Sequence, residues 1–409
     1  MKIAIIVSIF PCISETFILD HITGLIDRGH NVEIFAFTTQ DIDETHPEIK
    51  KYNLLERTHY IKFPHGKKQK ILKGIKLSLK YLFRHPFVIF KCMNIFKYGW
   101  NAINFSILFQ VAPFLETDFD IVHCHFGPNG SRFLFLKDIF KTPYITSFHG
   151  YDISVIPKKD SNIYNRLFRY SDLLIANSNY TAKRLFELGA NKEKILVVRL
   201  PLDCKKFNFR ERVLDNKSRK IRLLTVARFV EKKGLIYAIE AVNKTLKKYK
   251  NIEYHIIGDG FLYAEIKRKI KGLNIEDYIK LLGWKERDEV KEEMYKSDIF
   301  ILPSVTALNG DTEGQGLVLL EAQATGLPIL STLHNGIPEG VIDGKSGFLV
   351  PERDSVALSE KLNYLIDHPE IWPKMGRFGR THIEKHFNSE KILKQLENIY
   401  REMLNKTKK

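Results

Sequence analysis

Short apolar runs alternate along most of the chain with longer stretches in which apolar residues recur at helical spacing. Residues 3–10 are apolar except for one serine, as expected for a strand buried on both faces of a parallel sheet. Residues 17–28 have helical spacing, and Gly29 follows them where a helix C-cap is expected. The same reasoning predicts further strands, separated by helical stretches, at residues 32–37, 121–124, 144–148 and 173–176.

The alternation restarts after residues 205–219, which are polar, charged and without periodicity. The second unit has predicted strands at 223–227, 254–257, 299–302 and 328–331, and helices near 237–249, 263–271, 316–325 and 389–406. Alternating strands and helices predict an α/β protein with two Rossmann-like domains that face each other across a cleft. We expect the domains to span residues 1–204 and 205–388, with a hinge near 201–220. The terminal helix, 389–409, would pack back on the first domain.

The positive charge of the chain is concentrated in one part of the first domain. Its 409 residues carry a formal charge of +16, and residues 57–115 contain eleven Lys or Arg and no Asp or Glu. We call residues 57–115 the basic segment. A protein that binds nucleic acid along a whole face would spread this charge, and no known nucleic-acid-binding motif is present. The distribution therefore favours one surface that faces an anionic partner over a nucleic-acid-binding protein.

The basic segment has lysines interspersed with Leu, Ile and Phe, which is typical of an amphipathic surface for anionic lipid. The alternative is a helical insertion whose apolar face packs on the domain while its lysines are solvated. The longest uncharged stretch, 98–115, includes Asn, Gln and Pro and is a poor spanning helix. The apolar N-terminus is too short for a signal peptide, and four scattered cysteines without a CxxC pair indicate a reducing compartment.

Two glutamates in the second domain are the first candidates for chemistry. Glu313 and Glu321 are eight positions apart, so a helix between them would place both on nearly the same side. Gly314 and Gly316 stand where the free N–H groups of a helix N-terminus can hold phosphate or sugar oxygens. The alternative is a solvated Glu313 and a structural Glu321.

Five segments in order resemble the motifs of retaining glycosyltransferases of the GT-B superfamily, family 4. The segment 313–330 (EGQGLVLLEAQATGLPIL) resembles the family signature, and 226–234 (VARFVEKKG) resembles its strand-loop element. The other matches are the turn 257–260 (IGDG), and 336–339 (GIPE) with 347–351 (GFLVP). The resemblance runs from about residue 1 to residue 385. It implies transfer of a sugar from a nucleotide-diphosphate sugar to a hydroxyl. A front-face route, in which the leaving phosphate helps to deprotonate the acceptor, is the one usually proposed for the family, and double displacement is the alternative.

The resemblance also implies roles for residues of the second domain. Arg228 and Lys233 would bind the donor diphosphate, because fixed cations stabilise the charge that develops on the leaving group. They would replace a metal, so we expect neither metal nor cofactor. Glu321 would accept from the ribose hydroxyls, and Glu313 would lie near the transferred sugar. The remaining expected donor-site contacts involve backbone groups at Gly258, Gly260, Gly314, Gln315 and Gly316.

In the first domain, His149 follows a predicted strand and resembles the family histidine beside the transferring sugar and the acceptor. Asp152 would orient His149 or bind a hydroxyl. His123 and His125 have the spacing of a metal pair, but no further ligand follows at suitable spacing. The resemblance makes this pair a wall of the cleft instead, with His125 as an acceptor contact.

The first loop, residues 10–18, lacks the glycine pair that many family members use here. Its sequence, FPCISETFI, resembles a subgroup that builds bacterial exopolysaccharides of the colanic-acid and amylovoran type. Ser14, Glu15 and Thr16 are candidate acceptor contacts, although Ser14 and Thr16 are also typical helix caps.

The resemblance implies a function in bacterial exopolysaccharide or other surface polysaccharide synthesis. The expected acceptor is a polyprenyl-diphosphate-linked or growing saccharide, and the expected location is cytoplasmic, peripheral on the inner face of the cell membrane. One alternative is a nucleotide-sugar epimerase of similar fold. Another is a nucleic-acid- or lipid-binding protein without catalysis.

Overall fold

The chain forms two parallel β-sheets, each covered by helices, in the computed structural model, which describes residues 1–40, 46–215 and 219–407. Residues 216–218 of the predicted hinge and residues 408–409 of the predicted terminal helix lie outside this description. All strand pairs in both sheets are parallel. The α/β prediction with two such units is confirmed.

The first sheet has seven strands in the order β3-β2-β1-β4-β5-β6-β7. The strands are β1 (Lys2–Ile6), β2 (Asn31–Ala36), β3 (Thr58–Tyr60), β4 (Ile121–His125), β5 (Tyr144–Phe148), β6 (Leu173–Ala176) and β7 (Ile195–Val197). The strand order reverses between β1 and β4, and a crevice forms beyond the carboxyl ends of the strands at such a point.

The second sheet has six strands in the order β10-β9-β8-β11-β12-β13. The strands are β8 (Ile221–Val226), β9 (Ile252–Ile257), β10 (Ile279–Leu281), β11 (Ile299–Leu302), β12 (Ile329–Thr332) and β13 (Gly347–Val350). Here the order reverses between β8 and β11, so this sheet offers a second crevice at its carboxyl edge.

Helices cover both faces of each sheet. Those associated with the first sheet are α1 (Thr16–Asp27), α2 (Pro47–Lys51), α3 (Lys67–Leu82), α4 (Pro86–Cys92), α5 (Ile95–Tyr98), α6 (Trp100–Ile103), α7 (Ser106–Val111), α8 (Gly127–Phe133), α9 (Phe135–Phe140), α10 (Gly150–Ser154), α11 (Ile156–Lys159), α12 (Asn165–Tyr170) and α13 (Asn179–Glu187). Those that follow are α14 (Leu235–Thr245), α15 (Tyr263–Gly272), α16 (Arg287–Lys296), α17 (Leu317–Ala324), α18 (Ile337–Gly340), α19 (Ser355–Asp367), α20 (Trp372–His386) and α21 (Ser389–Thr407).

The predicted strands agree with the structure in the interior of each sheet and differ at its margins. The prediction that the first strand extends to residue 10 is wrong, because the regular ladder ends at Ile6 and only an isolated bridge joins Ile9 to Thr38. Strands β3, β7, β10 and β13 were not predicted. All four lie at an edge of their sheet, and the first three are only three residues long and partly exposed, without the long continuous apolar run that marks a buried strand.

The last helix, α21, returns to the first domain. Its Leu393 packs against Gly24 of α1, and a side chain at that glycine would clash with the leucine. Glu397 accepts hydrogen bonds from Arg28 and pairs with His30 at 2.6 Å. Buried apolar residues of α21 and of β1 belong to one core, so α21 completes a hydrophobic layer of the first domain.

Candidate functional site

A cleft of about 940 Å³ lies where the two carboxyl edges face each other. Both domains contribute to its walls. The residues singled out from the sequence that line it are Ser14, Glu15, Thr16, His149, Arg228, Lys233, Glu313, Gly314, Gln315, Gly316 and Glu321. Four others, His125, Asp152, Gly258 and Gly260, do not line it and are described below.

Two glycines allow a loop of the first domain and a loop of the second to approach closely. A Cβ atom at Gly150 would lie 2.8 Å from the carbonyl oxygen of Thr312 and 3.1 Å from the nitrogen of Gly314. These glycines directly follow His149 and Glu313 in the sequence. The close contact therefore brings the histidine of one domain and the glutamate of the other to the same part of the cleft.

Glu313 forms an ion pair with Lys233 within the cleft. Burial alone would raise the pKa of the Glu313 carboxyl, but the ammonium groups of Lys233 and Lys232 lower it to about 2. Lys232 is itself paired with Asp311, at 3.1 Å. The carboxylate is therefore ionised, and two lysines stand beside it with acidic partners that hold them in place.

The backbone around Glu313 is held by residues of the segment that follows β12. The N–H group of Glu313 donates to Nε2 of His334 at 3.0 Å, and the side-chain amide of Asn335 donates to the Glu313 carbonyl at 3.0 Å. The other ring nitrogen of His334 lies 2.5 Å from a carboxylate oxygen of Glu352. With Glu352 as partner of Nδ1, His334 presents Nε2 as the acceptor, and the loop has a defined position.

Arg228 is an exposed cation of the cleft, and it forms no ion pair with any residue that the structure describes. Its loop is positioned by the two glycines expected at the nucleotide. A Cβ atom at Gly258 would lie 1.9 Å from the carbonyl oxygen of Ala227, and Gly260 approaches the backbone of Phe229. Both glycines have positive φ values, so their conformation and the space behind the loop require glycine. They contact the Arg228 loop and do not line the cleft.

Glu321 lies on α17, close to an arginine that spans the two domains. Arg287 is 3.8 Å from the Glu321 carboxylate and 3.2 Å from that of Asp20 on α1. Burial raises the pKa of Glu321 to about 7, although the nearby Arg287 cation opposes this shift. The ion pair with Arg287 therefore does not offset the effect of burial, and the carboxyl group lines the cleft.

The start of α17 supplies donors to the same wall. Gly316 is the N-cap residue, in a left-handed conformation with φ near 70°. The side-chain oxygen of Gln315 accepts from the backbone N–H of Leu200 at 3.2 Å, while its amide nitrogen is buried without a partner in the described structure. A buried, unpaired amide donor in a cleft wall is available to a ligand oxygen.

Asp152 holds the backbone at His149. Its carboxylate accepts hydrogen bonds from the N–H groups of His149 and Gly127, both at 2.8 Å, and the side chain is almost fully buried. Asp152 was expected either to orient His149 or to bind a hydroxyl, and these contacts are those of a residue that orients His149. Burial raises the pKa of Asp152 to about 7, against the effect of the backbone N–H donors.

The side chains of His123 and His125 point to the same side of β4, and their rings stack with centroids 5.0 Å apart. Each ring is hydrogen-bonded to other side chains: His125 contacts His21 and His149, and His123 contacts Tyr400 and Ser147. No group of three or more His, Cys, Asp or Glu that could hold a metal occurs within the described residues.

The first loop reaches the cleft opposite Arg228. Burial raises the pKa of Glu15 to about 7, and the Arg228 cation opposes the increase. Helix α1 begins at Thr16 with Glu15 as its N-cap residue, and no side chain caps it. The alternative that Ser14 and Thr16 are there to cap the helix is therefore wrong.

Several cleft residues were not singled out from the sequence. Lys232 is paired with Asp311 in the cleft wall. Arg287 and Trp284 also line the cleft, and they follow the short strand β10. Glu339 of the 336–339 motif accepts from Asn179 at 2.9 Å, which shows that this motif joins the two domains.

Comparison with known proteins agrees with this geometry. Residues 14–206 match the glycosyltransferase family 4 domain, and residues 206–382 match the glycosyl transferases group 1 domain. The chain is 36% identical to the putative colanic acid biosynthesis glycosyltransferase WcaL of Escherichia coli K12 over 98% of its length and 99% of the relative. It is also 36% identical to the amylovoran biosynthesis glycosyltransferase AmsK of Erwinia amylovora, with the same coverage.

Solved structures share the fold at low sequence identity. HepE of Anabaena, solved in complex with UDP, superposes with a TM-score of 0.73 at 16% identity and covers 98% of this chain and 99% of its own. Sucrose-phosphate synthase of Thermosynechococcus elongatus superposes with a TM-score of 0.70 at 18% identity and covers 99% of each chain. None of these similarities favours the epimerase alternative. The chain is a glycosyltransferase enzyme with the GT-B fold, and it belongs to glycosyltransferase family 4.

Proposed function

We propose that this enzyme transfers a sugar, with retention, from a nucleotide-diphosphate sugar to a hydroxyl of a lipid-linked or growing saccharide. The process it serves is the synthesis of a bacterial exopolysaccharide or another surface polysaccharide. Relatives 36% identical over nearly the whole chain are named for colanic acid and amylovoran biosynthesis, and HepE was solved with UDP in a similar fold.

The cationic wall of the cleft is the observation that carries this proposal. Arg228 is exposed and without a carboxylate partner in the described structure, whereas Lys232 and Lys233 are held by Asp311 and Glu313. A diphosphate leaving group gains negative charge as the glycosidic bond breaks, and preorganised cations stabilise that charge. In this proposal Arg228 and Lys233 bind the diphosphate, and no metal ion or cofactor is required.

The remaining donor contacts follow from the cleft walls. Glu321 would accept hydrogen bonds from the ribose hydroxyls, which favours its ionised form on nucleotide binding. Glu313, the backbone N–H groups of residues 314–316 and the unpaired amide of Gln315 would surround the transferred sugar. His149 faces this region from the first domain, where donor sugar and acceptor would meet.

A binding screen tests the donor site. Isothermal titration of the wild-type protein with UDP, GDP, ADP and their common sugar conjugates should identify one tight-binding family. Removal of a charge-assisted hydrogen bond costs about 1.5–3 kcal/mol, so Arg228→Ala should weaken that nucleotide about 10- to 150-fold. Arg268→Ala is the matched control, since Arg268 is an exposed arginine on α15 in the same domain. Equal affinities in both variants would contradict the diphosphate assignment.

The acceptor is proposed to enter beside the first loop. Ser14, Glu15 and Thr16 line the cleft opposite Arg228 and offer two hydroxyls and a carboxyl group to a saccharide. His125 and Asp152 would act on the acceptor only through His149, because both are buried behind it. Substitution of Glu15 by Gln should therefore raise the KM for the acceptor more than the KM for the donor. Equal changes in both values would contradict this assignment.

The basic segment presents an apolar surface to solvent. Helix α3 turns Gly74 and Tyr81 toward the domain and exposes Ile71, Ile75 and Leu79 on the other side. Phe83, Phe87 and Phe96 are 91%, 82% and 105% exposed, which is unusual for phenylalanine. The alternative in which the apolar face packs on the domain therefore explains only one side of α3. A contiguous exposed apolar surface of this kind is characteristic of an interaction site.

The charges around this surface indicate which partner it would meet. Lys67, Lys68, Lys73, Lys76 and Arg84 are exposed, and each basic residue near an anionic bilayer contributes about 1 kcal/mol. Lys80 and Lys97 contribute less, because they are paired with Glu116 and Asp138. No helix within the described ranges is long and apolar enough to cross a bilayer. We propose peripheral attachment to the inner face of the cell membrane, where a polyprenyl-diphosphate-linked acceptor would be located.

Vesicle flotation at low salt tests this attachment. Wild-type protein should float with vesicles rich in phosphatidylglycerol and much less with pure phosphatidylcholine. The combined change Phe83→Ser, Phe87→Ser and Phe96→Ser should abolish flotation without lowering donor affinity. Phe261→Ser removes a phenylalanine that is 77% exposed in the second domain and is the control. Flotation of the triple variant at the wild-type level would contradict the proposed surface.

A further inference from the structure

Six buried side chains form a continuous series of hydrogen bonds, called the hydrogen-bonded chain, from the cleft to the C-terminal helix. Nε2 of His149 lies 3.3 Å from Nδ1 of His125, whose Nε2 is 3.0 Å from Nδ1 of His21. Nε2 of His21 is 3.3 Å from the hydroxyl of Tyr400, and that hydroxyl is 2.5 Å from Nδ1 of His123. The chain ends at Ser147, whose hydroxyl is 2.7 Å from Nε2 of His123. Tyr400, the fourth member, belongs to α21.

The histidines of this chain are neutral at neutral pH. Burial lowers the pKa of His21 to about 4 and that of His149 to about 3, and it places the pKa values of His123 and His125 well below the usual range. A neutral imidazole has one nitrogen that donates and one that accepts. A histidine that donates to one neighbour must therefore accept from the other, so the direction of one hydrogen bond sets that of the next.

Three arrangements of protons satisfy every link of such a chain, because the Tyr400 hydroxyl can donate to either neighbouring histidine or accept from both. In one, Tyr400 donates to His21 and each donor points toward His149, so that Nε2 of His149 accepts and its Nδ1 carries the proton. In the other two, His21 donates to Tyr400 and the donors of His149 and His125 also point away from the cleft, so that Nε2 of His149 carries the proton and its Nδ1 is an acceptor. Nδ1 is the nitrogen of His149 that is buried without a partner in the described structure. Whether this nitrogen donates or accepts therefore depends on groups that lie far from the cleft.

We propose that Tyr400 is a positioning residue that fixes the tautomer of His149 through His21 and His125. This inference rests on the proposed role of His149 beside the transferring sugar. Tyr400 is fully buried, and among the described residues its hydroxyl is the hydrogen-bonded link between His123 and the other three histidines. A helix that follows the second domain would thereby set the hydrogen-bonding character of a cleft residue in the first domain.

The hydrogen-bonded chain is suited to fixing the orientation and tautomer of His149, and not to releasing a proton. Its inner end, Ser147, is buried, and so are Tyr400, His21, His123 and His125, so beyond His149 no described member offers a second outlet for a proton. A fixed tautomer also spares the enzyme the free-energy cost of selecting the correct form of His149 at each turnover. Removal of the residue that orients a metal-bound histidine typically costs about 10- to 100-fold in affinity or activity, and we expect an effect of the same order at His149.

Tyr400→Phe tests the proposal, because it removes the hydroxyl and retains the ring. With 15N-labelled histidine, the two nitrogen shifts of His149 in the wild type should report one tautomer, and in the variant they should move toward a mixture. A His149→Gln spectrum assigns the signals. The value of kcat should fall about 10- to 100-fold while the donor KM stays within twofold. Tyr254→Phe is the matched control, since this tyrosine is also fully buried and its hydroxyl is 2.6 Å from that of Thr225.

The outcomes separate this inference from its alternatives. Unchanged His149 shifts in Tyr400→Phe would overturn it, even if activity and thermal stability both fell, because that result describes a purely structural tyrosine. If Tyr400→Phe does not fold, Ser147→Ala breaks the other end and should also move the His149 shifts, and unchanged shifts there would likewise overturn it. If the wild type transfers no sugar from any donor, the proposed function fails while the tautomer measurement still decides the inference.

Discussion

The close approach of the two domains at Gly150 leads to a specific prediction for Gly150→Ala. The new Cβ atom would lie 2.8 Å from the carbonyl oxygen of Thr312, about 0.6 Å short of the 3.4 Å at which ordinary contact begins. It would also lie 3.1 Å from the nitrogen of Gly314. Both neighbours are backbone atoms and cannot rotate away, so we expect the two loops to separate by several tenths of an ångström.

The separation should reduce turnover more than stability. A misplacement of about 1 Å in a reacting geometry can lower the rate about 100-fold, so a shift of about half that size should lower kcat roughly 10-fold. Overpacking inside a core costs about 1–3 kcal/mol, but this contact lies between domains that can move apart. Arg228, Lys233 and Glu321 all belong to the second domain, so the affinity for the nucleoside diphosphate should change less than threefold.

Steady-state transfer, nucleotide titration and thermal unfolding together test this reasoning. Gly272→Ala is the control, because a Cβ atom there meets no heavy atom within 4 Å. We expect wild-type kinetics for Gly272→Ala and a selective loss of kcat for Gly150→Ala. Activity of Gly150→Ala within twofold of the wild type would refute the requirement for this interdomain contact. A matching loss of nucleotide affinity would show that the change disturbs the second domain instead.

Three further predictions follow from the site and its surroundings. Glu313→Ala and His149→Ala should each lower kcat more than about 100-fold in a transfer assay with the correct donor while circular dichroism stays unchanged, and near-wild-type rates would contradict the site. Because burial raises the pKa of Asp152 to about 7, the folded protein binds more protons than the unfolded chain between about pH 4 and 7, and the free energy of unfolding should fall as pH rises through that window. Urea titrations of Asp152→Asn should show a weaker pH dependence, and equal slopes would exclude this cause. Leu393→Ala should destabilise the protein by about 2–5 kcal/mol in urea, compared with almost no effect for exposed Lys394→Ala.

The interior of each sheet could be predicted from the sequence because buried parallel strands require continuous apolar runs. The predicted strands at 144–148, 173–176 and 299–302 agree with the observed bounds of β5, β6 and β11. Strands β3, β7 and β10 depend on pairing with a neighbour that is distant in sequence, and three residues are too few to show a period. The local pattern of apolar residues therefore predicts the buried interior strands, whereas the short edge strands form only through pairing in the folded sheet.

The second-domain site was more accessible to sequence reasoning than the first. Glu313, Gly314 and Gly316 form one local unit, a loop followed by a helix, so the spacing of their residues already constrains their geometry. The partners of that unit come from elsewhere: Lys232 and Lys233 follow β8, and His334 follows β12. No local spacing relates such loops to one another.

The sequence alone was sufficient to predict two α/β domains, a cleft at the carboxyl edges of their strands and the family to which the chain belongs. These features depend on local periodicity and on motifs within single loops. The folded molecule added the contacts between distant segments: the approach of Gly150 to Gly314, the bridge between Asp20 and Arg287, and the chain from His149 to Tyr400. Residues 149 and 400 are 251 positions apart. Only the packing of α21 across the first domain brings them into one hydrogen-bonded chain, because buried polar groups must find their hydrogen-bond partners within the protein.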